Sequence, residues 1–130
     1  MQNILFYRSK ILKKRGAALN IEFCMHDTTL IVSLSGEIDH HTSVEIRETV
    51  DREYQKRRAK NILFDFSNIV FMDSSGIGLL MGRYRNVSIC GGYVGLYNVP
   101  AKVDQILNIS GIYKLMKLYE SKEHAFKSLA

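Results

Sequence analysis

The stretch from Asn61 to Val87 constrains the fold most, because it reads as a strand, a turn and a helix in direct succession. Asn61-Ile62-Leu63-Phe64-Asp65-Phe66 is apolar and alternates poorly, as a central strand covered on both faces does. After it comes Phe71-Met72-Asp73-Ser74-Ser75-Gly76-Ile77-Gly78. Ile77, Leu80, Met81, Tyr84 and Val87 then recur at helical spacing. A helix is predicted from about Ser74 to Val87, stopping near Gly91-Gly92. Two serine hydroxyls thus stand where the strand hands over to the helix. That position is exposed, faces free backbone N–H groups and carries the positive end of a helix dipole. It suits a phosphate, either on a ligand or attached to a serine.

The rest of the chain alternates strands with helices. Ile21–Met25 and Leu30–Leu34 flank the polar turn His26-Asp27-Thr28-Thr29 and read as a hairpin. Gly36-Glu37-Ile38-Asp39 leaves the sheet. Thr42-Ser43-Val44-Glu45 fits a capping box with Thr42 as N-cap, opening a helix with Ile46, Val50 and Tyr54 on one face. This helix ends in the basic cluster Lys56-Arg57-Arg58. Tyr93–Tyr97 is a further strand, and Pro100 suits the first turn of a helix stopped by Gly111. Leu115–Tyr119 is a short last strand, and Ser121 opens a C-terminal helix. The expected class is α/β, with a mixed, mostly parallel sheet opened by a hairpin and about four helices.

Length and composition set the frame for function. With 130 residues and 46% hydrophobic residues, the chain is expected to form one ordinary globular domain. No run of about 18 apolar residues predicts a membrane span, and the patch Ile4–Tyr7 is too short for a signal peptide. A cytoplasmic location is expected. The formal charge of +5 is misleading. Residues 1–18 hold Arg8, Lys10, Lys13, Lys14 and Arg15 and no acid, which leaves 13 basic and 13 acidic residues in the remainder. Residues 1–18 therefore read as a basic, flexible extension, and 19–130 as the domain. Any nucleic-acid or membrane contact would rest on the extension alone, and none is expected of the domain. Cys24 and Cys90 have no metal-type spacing and are expected to be reduced, buried thiols.

Enzyme patterns fit poorly. Gly76, Gly78 and Gly82 place the third glycine one residue late for a dinucleotide fingerprint. Ser74 and Ser75 do not lie in GxSxG. His40 and His41, whose loop leaves the same sheet, are the base candidates for a small hydrolase using Ser74 or Ser75. A metal at Asp39-His40-His41 is disfavoured because sequence neighbours rarely converge on one centre. No cofactor and no metal are expected. Gly76 and Gly78 weaken a helix by about 1 kcal/mol each relative to Ala. Such glycines mark tight helix–strand packing, close approach of a partner, or both. Serine at a helix start is most often an N-cap, but one serine suffices for that.

Gly36-Glu37-Ile38-Asp39-His40-His41-Thr42, the stretch Phe71–Gly78, Gly82-Arg83-Tyr84 and Ile109-Ser110-Gly111-Ile112 together resemble the STAS-domain anti-anti-sigma factors. The His40-His41 pair and the Gly82-Arg83-Tyr84 run resemble the sporulation branch, the anti-sigma-F factor antagonists. The resemblance covers residues 19–130. It implies a partner-switching regulator of sporulation transcription rather than an enzyme. In such proteins the unphosphorylated form binds an anti-sigma factor that is also an ATP-dependent serine kinase, and the sigma factor is released. Phosphorylation ends the binding, and a PP2C-type phosphatase restores it. By this resemblance the phosphoacceptor is Ser74, with Ser75 as the neighbouring alternative. Asp39, Asp73, Ser74, Ser75, Gly76 and Gly78 form the partner contact. The basic N-terminal extension departs from the family pattern.

Overall fold

A computed structural model describes the backbone of residues 4–14 and 17–129 and the side chains of residues 19–129. Six strands form one sheet in chain order: β1 (Ile4–Lys14), β2 (Ala17–His26), β3 (Thr29–Ile38), β4 (Asn61–Met72), β5 (Val94–Tyr97) and β6 (Lys117–Tyr119). β1 pairs antiparallel with β2 and β2 antiparallel with β3, whereas β3–β4, β4–β5 and β5–β6 are parallel. Between them run helices α1 (His40–Lys56), α2 (Ser75–Ile89), α3 (Ala101–Ser110) and α4 (Lys122–Leu129). The expected mixed α/β architecture with a β2–β3 hairpin is therefore present. Its turn places Asp27 at φ 53°, a left-handed conformation that aspartate tolerates. β1 runs through the segment set apart above as a basic extension, and nothing in the residue pattern suggested a strand there.

The sheet has a larger and a smaller core. Ile46 and Val50 of α1, Leu79, Leu80 and Val87 of α2, and Val103 and Leu107 of α3 pack with Val32, Ile62, Phe64 and Phe66 of the sheet. A second cluster joins Cys24, Ile31, Leu63 and Tyr97 to Ala125 and Phe126 of α4. Leu63 thus points away from its neighbours Ile62 and Phe64, and all three are buried. That explains the missing alternation at the start of β4: both faces are covered.

Farther along, β4 changes character. Its register with β3 slips between Ser33 and Ser35 and again between Gly36 and Glu37, each time giving β4 one extra residue. Phe66, Ile69 and Met72 are consequently buried at a spacing of three, while Ser67, Asn68, Val70 and Phe71 are exposed. Such bulges bend and twist a strand. Gly36, at φ 119°, supplies the left-handed backbone at the second slip. The strand expected over Asn61–Phe66 continues to Met72, and the two bulges erase the period-two alternation that would mark its second half.

Two local expectations need correction. The first concerns α1, whose N-cap is Asp39 rather than Thr42. Asp39 Oδ1 accepts from the backbone N–H of His41 and of Thr42, both at 2.9 Å. Thr42 is the N3 residue, and its Oγ1 accepts from the Asp39 N–H at 2.9 Å while donating to Glu37 O at 2.9 Å. The box is real but starts three residues earlier, because the buried Thr42 answers Asp39 instead of serving as the cap itself. The second concerns cysteine: Cys24 is buried, but Cys90 is exposed at the end of α2. Burial pushes the Cys24 thiol up to about 11. Iodoacetamide at neutral pH should therefore modify Cys90 in the folded protein and spare Cys24 until denaturant is added, as peptide mass mapping will show.

Candidate functional site

The site lies at the C-terminal ends of β3 and β4, where two chain corners meet. Ile38 pairs with Met72, and the Asp73 N–H donates to Ile38 O at 3.1 Å. Asp39 and Asp73 therefore leave the sheet side by side, one into α1 and one into α2. In open parallel sheets this end of the strands is where binding sites form.

Asp73 organises the start of α2. Its Oδ1 accepts from the Ser75 N–H at 2.8 Å, and its carbonyl accepts from the Gly76 N–H at 3.0 Å. Ser74 occupies the N-cap position in helical conformation and makes no side-chain cap bond. Serine capping, the ordinary role for such a residue, is thus replaced by the neighbouring aspartate. The Ser74 side chain is exposed and that of Ser75 half-buried. The start of α2 carries no other acidic residue in its first turn. The dipole at this end of α2 favours added negative charge, although the N–H groups of Ser75, Gly76, Ile77 and Gly78 are already taken by Asp73 and by Ser74 O.

Gly76 is buried against β4. A Cβ there would fall 2.3 Å from Met72 Sδ, so the first turn of α2 lies flat on the end of the strand. Of the two uses foreseen for the glycines, tight helix–strand packing holds at Gly76. Gly78 is exposed, and a Cβ on it would meet nothing within 4 Å. Gly82, one turn on, is equally open.

Asp39 is committed to capping α1. The Thr42 N–H holds its carboxyl below the usual carboxylate range, with the His41 N–H and the Thr42 hydroxyl adding to the effect. A depressed folded-state value means the cap stabilises the protein at pH well above 4 and is lost as pH falls through it. Asp39→Asn, which keeps an acceptor without the charge, should flatten the acid limb of the stability–pH curve below about pH 4. Urea melts between pH 3 and 7 will measure this. Asp39→Ala should cost about 1 kcal/mol at pH 7.

His40 and His41 are exposed, and their rings contact each other at 5.6 Å between centroids. No hydrogen bond joins either ring to Ser74 or Ser75 among the described residues. A serine nucleophile needs such a base oriented by a third group, and the arrangement does not supply one. Among the described residues no group of three His, Cys, Asp or Glu side chains is placed to hold a metal. No helix among them is long and apolar enough to cross a membrane.

One feature of the site went unnoticed in the sequence. Between α1 and α2 a cleft of about 460 Å³ runs away from Ser75, with Gly78 and Gly82 along its α2 wall. At its base Arg83 is 5% exposed, and its Nε lies 2.8 Å from Asp51 Oδ1 of α1 in a close ion pair. Arg83 Nη1 donates to Leu79 O at 3.3 Å. Arg83 stands four residues after Leu79 and four before Val87, on the buried face of α2, so its charge is answered there by Asp51.

The STAS-domain family model matches residues 20–125. The chain is 40% identical over 111 residues to an anti-sigma F factor antagonist of Paenibacillus polymyxa, covering 85% of this chain and 95% of that one. Its fold matches the solved structure of the anti-sigma factor antagonist SpoIIAA in unphosphorylated form, with a TM-score of 0.73 and 29% identity over 84% of this chain and 95% of that one. It also matches the Bacillus cell fate determinant SpoIIAA in phosphorylated form, with a TM-score of 0.67 and 28% identity over 85% and 99%.

Proposed function

The chain belongs to the STAS-domain family, and from that membership we propose an anti-sigma factor antagonist whose binding is switched off by phosphorylation of Ser74. It is a regulatory binding protein rather than an enzyme. In this reading residues 19–130 are the switching domain, with residues 1–18 appended to it. The unphosphorylated form binds an anti-sigma factor in the cytoplasm and frees a sporulation sigma factor. The same partner, a serine kinase carrying ATP, phosphorylates Ser74. A PP2C-type phosphatase resets the switch.

The observation that carries this reading is the Ser74 hydroxyl. It is exposed at a helix start, yet Asp73 has taken over the capping work. A phosphate there would cost the fold no hydrogen bond and would add roughly −1.5 to −2 charge units to the surface. That a related protein occurs in both unphosphorylated and phosphorylated forms supports a switch of this kind. With Ser74, the residues Asp39, Asp73, Ser75, Gly76 and Gly78 make up the proposed contact. Ser75 is the weaker acceptor, because it is half-buried.

The test is a titration of the purified protein against the anti-sigma factor from the same genome, with the sigma factor already bound. Stoichiometric release of the sigma factor on gel filtration is expected. A ternary complex, or no binding, would overturn the assignment.

A further inference from the structure

The α1–α2 cleft is strongly cationic. His40 and Arg47 face it from α1, and Arg83 and Arg85 from α2, with no carboxylate among its lining residues. Asp51, behind the lining, is the one acid engaged, and Arg83 holds it. Arg47 and Arg85 are exposed, and Arg47 acts on the Asp51 carboxylate from one turn away on α1. The two arginines also act on Arg83 as like charges. Arg83 and Arg47 thus share the Asp51 carboxylate while Arg85 adds a further like charge on Arg83, an arrangement that an incoming anion relieves.

The shape of the cleft narrows the choice of anion. Its wall at Gly78 and Gly82 is bare backbone facing open space, which leaves room for a chain segment to approach α2 closely. Val44 adds an exposed apolar surface on the α1 side, at 38% exposure. About 460 Å³ holds several side chains, and the open groove ends at Ser75, beside the proposed phosphoacceptor.

The geometry points to this cleft as the docking groove for an acidic segment of the anti-sigma factor, one that sets Asp or Glu side chains against Arg47 and Arg85 and an apolar residue against Val44. This rests on the partner-binding reading above and adds which chemistry the partner presents. The cleft supplies charge complementarity, which governs association rate and register, while the neighbouring Ser74 supplies the switch. A phosphate on Ser74 would then carry negative charge toward a partner segment that is itself acidic.

The experiment compares wild type, Arg47→Glu, Arg85→Glu and the double variant in titrations against the anti-sigma factor from the same genome at low and high salt. Each exposed substitution is first checked for an unchanged melting curve. The double variant should bind about tenfold or more weakly, mainly through a slower association rate, and should lose most of the salt dependence of the wild type. Unchanged affinity in the double variant, with Ser74→Asp still defective, would overturn the groove while leaving the switch intact. No binding by the wild type would instead remove the partner reading itself. Inorganic phosphate and ATP are titrated in parallel. Saturable binding of either one that the double variant loses, with partner affinity unaffected, would make the cleft a small-anion site and would also overturn the proposal.

Discussion

Ser74→Asp should weaken binding to the anti-sigma factor by about tenfold or more, and phosphorylation of Ser74 by about 100-fold, while Ser74→Ala binds as tightly as the wild type. The asymmetry follows from what the side chain does in the free protein. Ser74 makes no cap bond, so alanine removes nothing that holds α2 in place. Its melting curve should lie within about 0.5 kcal/mol of the wild type. Asp73→Ala is the contrast. It removes the acceptor at 2.8 Å from the Ser75 N–H and should cost about 1 kcal/mol of stability. A carboxylate at position 74 leaves the fold alone, since the helix dipole favours negative charge there. Its effect is confined to the contact, where desolvated like charges cost several kcal/mol. Calorimetric titration of each variant separates these outcomes. Loss of binding in Ser74→Ala would show that the hydroxyl itself is part of the contact, contrary to this account.

Gly92→Ala should be the most damaging single methyl group in the described structure, costing roughly 3 kcal/mol and about 10 °C in melting temperature. A Cβ on Gly92 would lie 1.8 Å from Lys60 O, a backbone atom that cannot rotate away. That carbonyl is itself fixed, since it accepts from the Tyr54 hydroxyl at 2.8 Å, and the Lys60 N–H donates to Thr28 O at 2.7 Å. The same Cβ would also press on Val87 Cγ1 at 2.9 Å. Relief requires moving the start of β4 or the end of α2, both of which belong to the main core. Gly91→Ala differs: its φ of 80° is strained for alanine, but no atom blocks the added methyl. It should cost about 1 kcal/mol. Urea denaturation of the two variants measures the difference, and equal losses would contradict the close-approach argument.

These two predictions mark how far the sequence alone could be read. The strand–Ser-Ser–helix order was legible because the unbroken apolar run Ile62-Leu63-Phe64 gives way to an α2 stripe at helical spacing. The meeting of Asp39 with Asp73 was legible only through resemblance, since it depends on the β3–β4 register. That register contains two slips no pattern of hydrophobicity reveals. The cap of α1 was misplaced by three residues because Asp39 and Thr42 are both good capping residues, and only the burial of Thr42 decides between them. Gly91-Gly92 read as a helix stop, which is correct for the chain path. The contact of Gly92 with Lys60 O joins residues 32 apart and leaves no local trace. The cationic cleft escaped notice for the same reason. Arg47, Arg83 and Arg85 belong to a segment with balanced charge overall, and only the packing of α1 on α2 brings them together.

The most direct measurement is the intact mass of the protein after incubation with ATP and the anti-sigma factor from the same genome, followed by fragmentation to place the added mass. One phosphate, located on Ser74 and absent in Ser74→Ala, is the expected result. Full phosphorylation of Ser74→Ala at Ser75, or a stable complex that never acquires phosphate, would contradict the account of Ser74 as the switch.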